Sequence, residues 1–176
     1  WCSGRYAAER ELLATDDDRR QRVVHESLRL HPASPVARRI ATAEIELRSG
    51  QLLAAGDEVT IDLRQANRDV AAVGPDPDAF DPDRRLADGV APWVLTFGHG
   101  IHACLGQELA GGLDPDDTGD QHLLGSIAVM SGVLLRVGAR PDPAREAIED
   151  RSTTRAVWAS YPVCFAPDAS PSGAPR

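Results

Sequence analysis

Between residues 97 and 106 the chain reads Phe97-Gly98-His99-Gly100-Ile101-His102-Ala103-Cys104-Leu105-Gly106. No other stretch limits the possible folds so sharply. Its glycines permit positive φ and let the backbone come close to something bulky. The residues from Leu105 to Ala110 read as the first turns of a helix, which would set Cys104 at a helix N-terminus. Free N–H groups and the positive end of the dipole favour a thiolate over a thiol there. A thiolate held out on a glycine-rich loop is a soft metal ligand. Two plainer readings apply to the same residues. A lone Cys is most often a small buried hydrophobe. His99, His102 and Cys104 could also serve an unrelated metal-binding module, although their spacing does not match paired-Cys zinc patterns and no fourth ligand lies nearby in sequence.

Composition narrows the partners. At 176 residues and 42% apolar, the chain can fill one or two domain cores. Its net charge of -8 argues against nucleic acid and disfavours an anionic membrane surface. Every basic residue counted in that charge is an arginine. Cys2, Cys104 and Cys164 are too few and too scattered for a disulfide framework. No apolar run is long enough to span a bilayer. The chain begins at Trp1 without a signal-like start, which reads as a fragment or processed piece.

In chain order, residues 1–14 carry a weak helical pattern. Thr15-Asp16-Asp17-Asp18 can cap a helix that runs to about Leu30, where His31-Pro32 stops it. Glu26 and Arg29 share a face of that helix; alone, such a pair is usually an ordinary surface pair. Short strands follow at 36–41, 44–47, 51–53 and 58–63. Their alternation between turn signals predicts an antiparallel sheet with one buried face. Residues 64–70, containing Ala66-Asn67-Arg68-Asp69, predict a short helix. The Pro-, Asp- and Gly-rich stretch 74–92 predicts a wandering loop. After Ala110 the segment Gly111-Gly112-Leu113-Asp114-Pro115-Asp116-Asp117-Thr118-Gly119-Asp120 interrupts the helix. Leu123, Leu124, Ile127, Met130, Leu134 and Leu135 then mark a second amphipathic helix. Ala156 to Phe165 reads as paired strand, and 168–176 as a disordered tail.

The order Phe97-x-x-Gly100-x-x-x-Cys104-x-Gly106 closely resembles the haem-binding loop of cytochrome P450. Glu26-Ser27-Leu28-Arg29, followed by Leu30-His31-Pro32, resembles the family's second signature. The resemblance runs from about Arg22 to Ala110 and is faint beyond. It implies a mainly α fold with small β-sheets, a cytochrome P450 fold of which residues 1–167 form the C-terminal part. The family's long distal helix, with its Ala-Gly-x-x-Thr residues, has no counterpart in these residues.

The resemblance also implies a site. Cys104 would ligate the iron of haem b (iron protoporphyrin IX), with Phe97 packed over the sulfur. Gly98, Gly100 and Gly106 would keep the loop tight, and His102 would meet a propionate. Arg39 matches the family's other propionate-gripping position, and strand alternation sets it opposite Arg38. Glu26 and Arg29 would form a buried structural pair, with no catalytic residue assigned. The family's third member of that cluster, an arginine before the phenylalanine of the meander, is Ala79 here; Arg84 or Arg85 is a possible substitute, with a solvated loop charge the preferred reading of Arg84. The implied reaction is monooxygenation of a small organic substrate, in the cytoplasm. Electrons from NAD(P)H would arrive through ferredoxin and ferredoxin reductase or another redox partner. A non-catalytic haem-binding remnant of the family stands as the alternative.

Overall fold

Asp16 ends one helix and starts the next. Its backbone is extended, and its N–H closes α1 (Arg10–Thr15) on Leu12 O at 2.8 Å. Its carboxylate accepts Arg19 N at 2.8 Å, capping α2 (Asp17–Leu30) as the run of aspartates predicts. The structure, a computed structural model, describes residues 9–113, 124–153, 155 and 157–165. The chain divides into two compact units, one of Trp1–His25 with Leu105–Arg176 and one of Glu26–Cys104. The expected tail at 168–176 lies outside the described residues, as does 114–120 of the interrupting segment.

In the first unit, α1 and α5 (Gln107–Gly111) pack on α6 (Ser126–Arg136). Arg20 is the buried hub. Its Nε donates to Ala128 O and its Nη1 to Leu13 O, both at 2.8 Å, and its Nη2 to the Asp17 carboxylate. This explains a departure from the sequence pattern. The apolar points Ile127, Met130 and Leu134 are exposed, and the buried stripe of α6 is Ala128 and Gly132. Small residues stand there because the guanidinium fills the space: a Cβ on Gly132 would lie 2.6 Å from Arg20 Cζ. The break after the cysteine loop is where the glycines place it. Gly112 follows α5 at φ 84°. Two antiparallel ribbons complete the unit, β5 (Arg140–Pro141) with β8 (Val163–Cys164) and β6 (Ile148–Asp150) with β7 (Val157–Ser160).

The second unit begins inside α2. Strand β1 (Val36–Ile40) pairs antiparallel with β4 (Glu58–Asp62), and β2 (Ile45–Glu46) with β3 (Leu52–Leu53). The expected single sheet is therefore two separate ribbons, and no strand residue in either is buried. The core lies instead among Leu30, Leu63, Val73, Trp93 and Val94. The helix expected at 64–70 is two short ones, α3 (Leu63–Ala66) and α4 (Val70–Val73). Aspartates impose the split: Asp62 accepts Gln65 N, and Asp69 accepts Ala71 N to start again. Asn67 sits in the break, fully buried.

Candidate functional site

The most deeply buried charges of the second unit are Glu26, Arg29 and Arg84. Arg29 is completely inaccessible. Its Nε and Nη2 each donate to a Glu26 oxygen at 2.7 Å, a bidentate fork. Its remaining donors reach Asn67 O at 3.0 Å, Pro77 O at 2.7 Å and Ala79 O at 3.2 Å. Arg84 closes the cluster, contrary to the solvated charge that its loop composition predicts. Its side chain is 7% exposed and its Nε lies 3.2 Å from Glu26 Oε1. Its other donors serve Val73 O, Pro75 O, Asp76 O and Ala79 O. The position before Phe80 thus supplies a carbonyl, shared by both arginines, and the arginine comes from further along the loop. Burial raises the pKa of Glu26, but bonds from Arg29, Asp81 N and Arg84 and the charge of Arg29 outweigh it and hold the carboxyl below its ordinary range. A loop without regular structure is held in this way by two guanidinium groups that satisfy its carbonyls.

The cysteine loop follows Trp93, which meets Phe97 edge to face with ring centroids 5.7 Å apart. Gly98 N donates to Leu95 O, Ala103 N to Gly100 O, and Cys104 N to Phe97 O at 2.8 Å. These bonds fold residues 97–104 back on themselves. Gly98 has φ +77°, and a Cβ there would approach His102 O to 3.2 Å, so no other residue fits without strain. Gly100 also has positive φ, with open space beside it. Gly106 has φ -88°, an ordinary value that needs no glycine. The helix expected from Leu105 begins at Gln107, with Gly106 at its N-cap, so Cys104 is not in the first turn. Cys104 is an exposed free thiol, which removes the small-buried-hydrophobe reading. His99 and His102 are exposed, His102 ending a 3-10 turn at Gly100–His102. Among the described residues no group of three or more His, Cys, Asp or Glu side chains is gathered for a metal ion. His99, His102 and Cys104 therefore do not form the three-ligand site that spacing alone left open.

Arg39 lies on the half-buried face of β1, opposite Val59 in β4, and Arg38 points to the exposed face beside Glu58 at 3.6 Å. Alternation thus places the pair as the sequence predicts, with Arg39 Nη1 donating to the carbonyl of Arg38 at 2.7 Å. Two residues behind the loop escaped the sequence reading. Asn67 and Thr96 are both buried and bonded to each other at 2.9 Å. The one signal for Asn67 was an Asn two residues before Asp69, which can cap a helix.

An exposed thiol on a glycine loop and a buried Glu-Arg-Arg cluster stand together in one unit of a fold of helices and small sheets. The family model for cytochrome P450 matches residues 20–111, and the chain belongs to that family. It is 41% identical over 101 residues to cytochrome P450 165C4 of Amycolatopsis orientalis, covering 57% of this chain and 23% of that protein. It is 42% identical over 103 residues to vitamin D(3) 25-hydroxylase of Pseudonocardia autotrophica, covering 58% of this chain and 24% of that protein. Among solved structures it resembles P450BioI in complex with a hexadec-9Z-enoic acid-ligated acyl carrier protein, with TM-score 0.67, 25% identity, and coverage of 92% of this chain and 37% of that one. Cytochrome P450-153 from Novosphingobium aromaticivorans matches with TM-score 0.66 and 27% identity over 90% of this chain and 35% of that one. The chain thus spans about a quarter of these curated relatives and less than two fifths of these solved chains. No helix among the described residues is long and apolar enough to cross a membrane.

Family membership implies a haem cofactor, and the donor set fits one. A bare ion needs several protein ligands gathered together, which the described residues lack. A haem iron would need only one donor from the protein, and the exposed Cys104 thiol is a donor of that kind.

Proposed function

We propose that the protein works as a haem-thiolate monooxygenase, inserting one oxygen atom from O2 into a small organic substrate. The observation that carries the reading is the exposed Cys104 thiol on a backbone fixed by its own N–H to Phe97 O. When bound, haem supplies oxygen activation, and the thiolate ligand of cytochromes P450 is itself the standard example of a donor that favours O–O cleavage. The protein's part is to hold and tune. Cys104 Sγ would hold the haem iron, and Phe97, anchored edge-on by Trp93, would shield the sulfur from water. Gly98 and Gly100, both at positive φ, would let the backbone come close to the haem. His102 and Arg39 would compensate the haem propionates. Glu26, Arg29 and Arg84 are structural. The two electrons come from NAD(P)H through a ferredoxin and its reductase or an equivalent partner.

Two measurements test this. The protein supplied with haem and reduced under carbon monoxide should give the far red-shifted band of thiolate ligation. Labelled O2 should then leave one labelled atom in the product of an accepted substrate. A reduced carbon monoxide complex without the red-shifted band would contradict the ligand assignment. Label delivered only to peroxide or water would contradict the reaction.

A further inference from the structure

We infer that Asn67 and Thr96 are positioning residues for the Cys104 thiol, forming a relay of hydrogen bonds from the end of α2 to the cysteine loop. The purpose of this relay rests on the haem-thiolate reading; its geometry does not.

A helix leaves its last carbonyls without partners. In α2 the Ser27 carbonyl accepts His31 N at 2.8 Å, and the next three are taken by side chains from elsewhere in the unit. Leu28 O accepts Thr96 Oγ1 at 2.9 Å, Arg29 O accepts Asn67 Nδ2 at 3.0 Å, and Leu30 O accepts Arg68 Nη2 at 3.2 Å. Two of those donors do more than cap. Asn67 Nδ2 also donates to Thr96 Oγ1 at 2.9 Å, and Asn67 Oδ1 accepts Leu95 N at 2.8 Å. The Asn67 amide therefore uses both donors and an acceptor on three separate groups, while fully buried. The Thr96 hydroxyl accepts from Asn67 and donates to Leu28 O, which fixes its proton.

The next link is covalent. Thr96 precedes Phe97, whose carbonyl accepts Cys104 N. Residues 95 and 96 are thus held by side chains, and the next residue, Phe97, supplies from its peptide with Gly98 the carbonyl that holds the cysteine amide. Trp93 anchors Phe97 from the ring side. The Glu26-Arg29-Arg84 cluster holds the preceding loop but donates to no residue of 95–104 in the bonds given above. Asn67 and Thr96 supply that connection. They touch no reacting group and act through the backbone.

The test compares Asn67→Ala, Thr96→Val and Thr96→Ser. In the haem-free chain, amide hydrogen exchange at Cys104 should be about tenfold faster in Thr96→Val, since an opened buried bond exposes the loop below the global unfolding limit. Thr96→Ser keeps the hydroxyl and should stay near the parent. With haem bound, Asn67→Ala and Thr96→Val should move a large share of the reduced carbon monoxide complex from the red-shifted band to the shorter-wavelength band of non-thiolate haem. Thr96→Ser should restore the parental ratio. Variants that match the parent in both Cys104 exchange and band ratio overturn the inference, whether or not their melting temperature falls. A parent that lacks the red-shifted band contradicts the haem-thiolate reading, and Cys104 exchange then decides the relay by itself.

Discussion

The loop from Val73 to Arg84 and the loop from Phe97 to Cys104 are both irregular, and they are held in opposite ways. The first is wired by side chains: two buried guanidinium groups and one carboxylate satisfy its carbonyls and the Asp81 amide. The second is wired by its own backbone, with two left-handed glycines and a cysteine amide bonded to Phe97 O. Ile101 at its tip is 97% exposed. On the proposed function, the difference separates scaffold from site. A charged cluster tolerates burial only when every donor has an acceptor, so it resists change. A loop that must present a thiol cannot bury it, so its precision comes from torsion angles and from what stands behind it.

The comparison breaks most severely at Glu26. Glu26→Ala leaves Arg29 and Arg84 facing one another without a counter-charge, and should cost about 3–5 kcal/mol in denaturant unfolding. Arg84→Ala keeps the Glu26–Arg29 fork but strips donors from the loop carbonyls, for about 2–3 kcal/mol. A well-folded Arg84→Ala protein with parental stability would return Arg84 to the role of a solvated charge.

Acid sharpens the same contrast. The folded-state pKa of Glu26 is held below its unfolded value, so its contribution is fully present above the unfolded pKa. It is lost as the pH falls toward the folded pKa. Stability should therefore decline in that acid window, and Glu26→Gln should flatten this part of the profile. An unchanged profile in Glu26→Gln would show that other carboxylates dominate.

Smaller effects belong to the cysteine loop. Gly98→Ala meets both a positive φ and the His102 carbonyl, and should cost about 2 kcal/mol. Gly100→Ala meets positive φ alone, for about 1 kcal/mol. Equal costs would show that the close approach at Gly98 does not matter. Ile101→Ser should change stability by less than about 0.5 kcal/mol, because nothing covers that side chain here.

Local rules carried much of this fold. The aspartates at 16–18, the stop at His31-Pro32 and the glycines at 111–112 are short-range signals, and the helices end where they indicate. Strand alternation correctly separated Arg38 from Arg39. Illegible were the consequences of side chains reaching across the sequence. Arg84 bonds Glu26 across 58 positions, and nothing local distinguishes it from Arg85. Arg20 bonds Ala128 across 108 positions and turns the small residues of α6 inward, against its hydrophobic pattern. Asn67 read as part of a helix because its burial depends on Leu95, Thr96 and the end of α2.

The division of labour between the two loops has one direct measurement: the reduced carbon monoxide difference spectrum of Cys104→Ser in haem-supplied protein, beside Cys164→Ser and the parent. Cys104 is exposed and its side chain carries no structural bond that the account requires. Cys104→Ser should melt with the parent and lose the red-shifted band completely, while Cys164→Ser keeps it. A red-shifted band that survives in Cys104→Ser, or vanishes in Cys164→Ser, would contradict the assignment of the thiolate and with it the separation of scaffold from site.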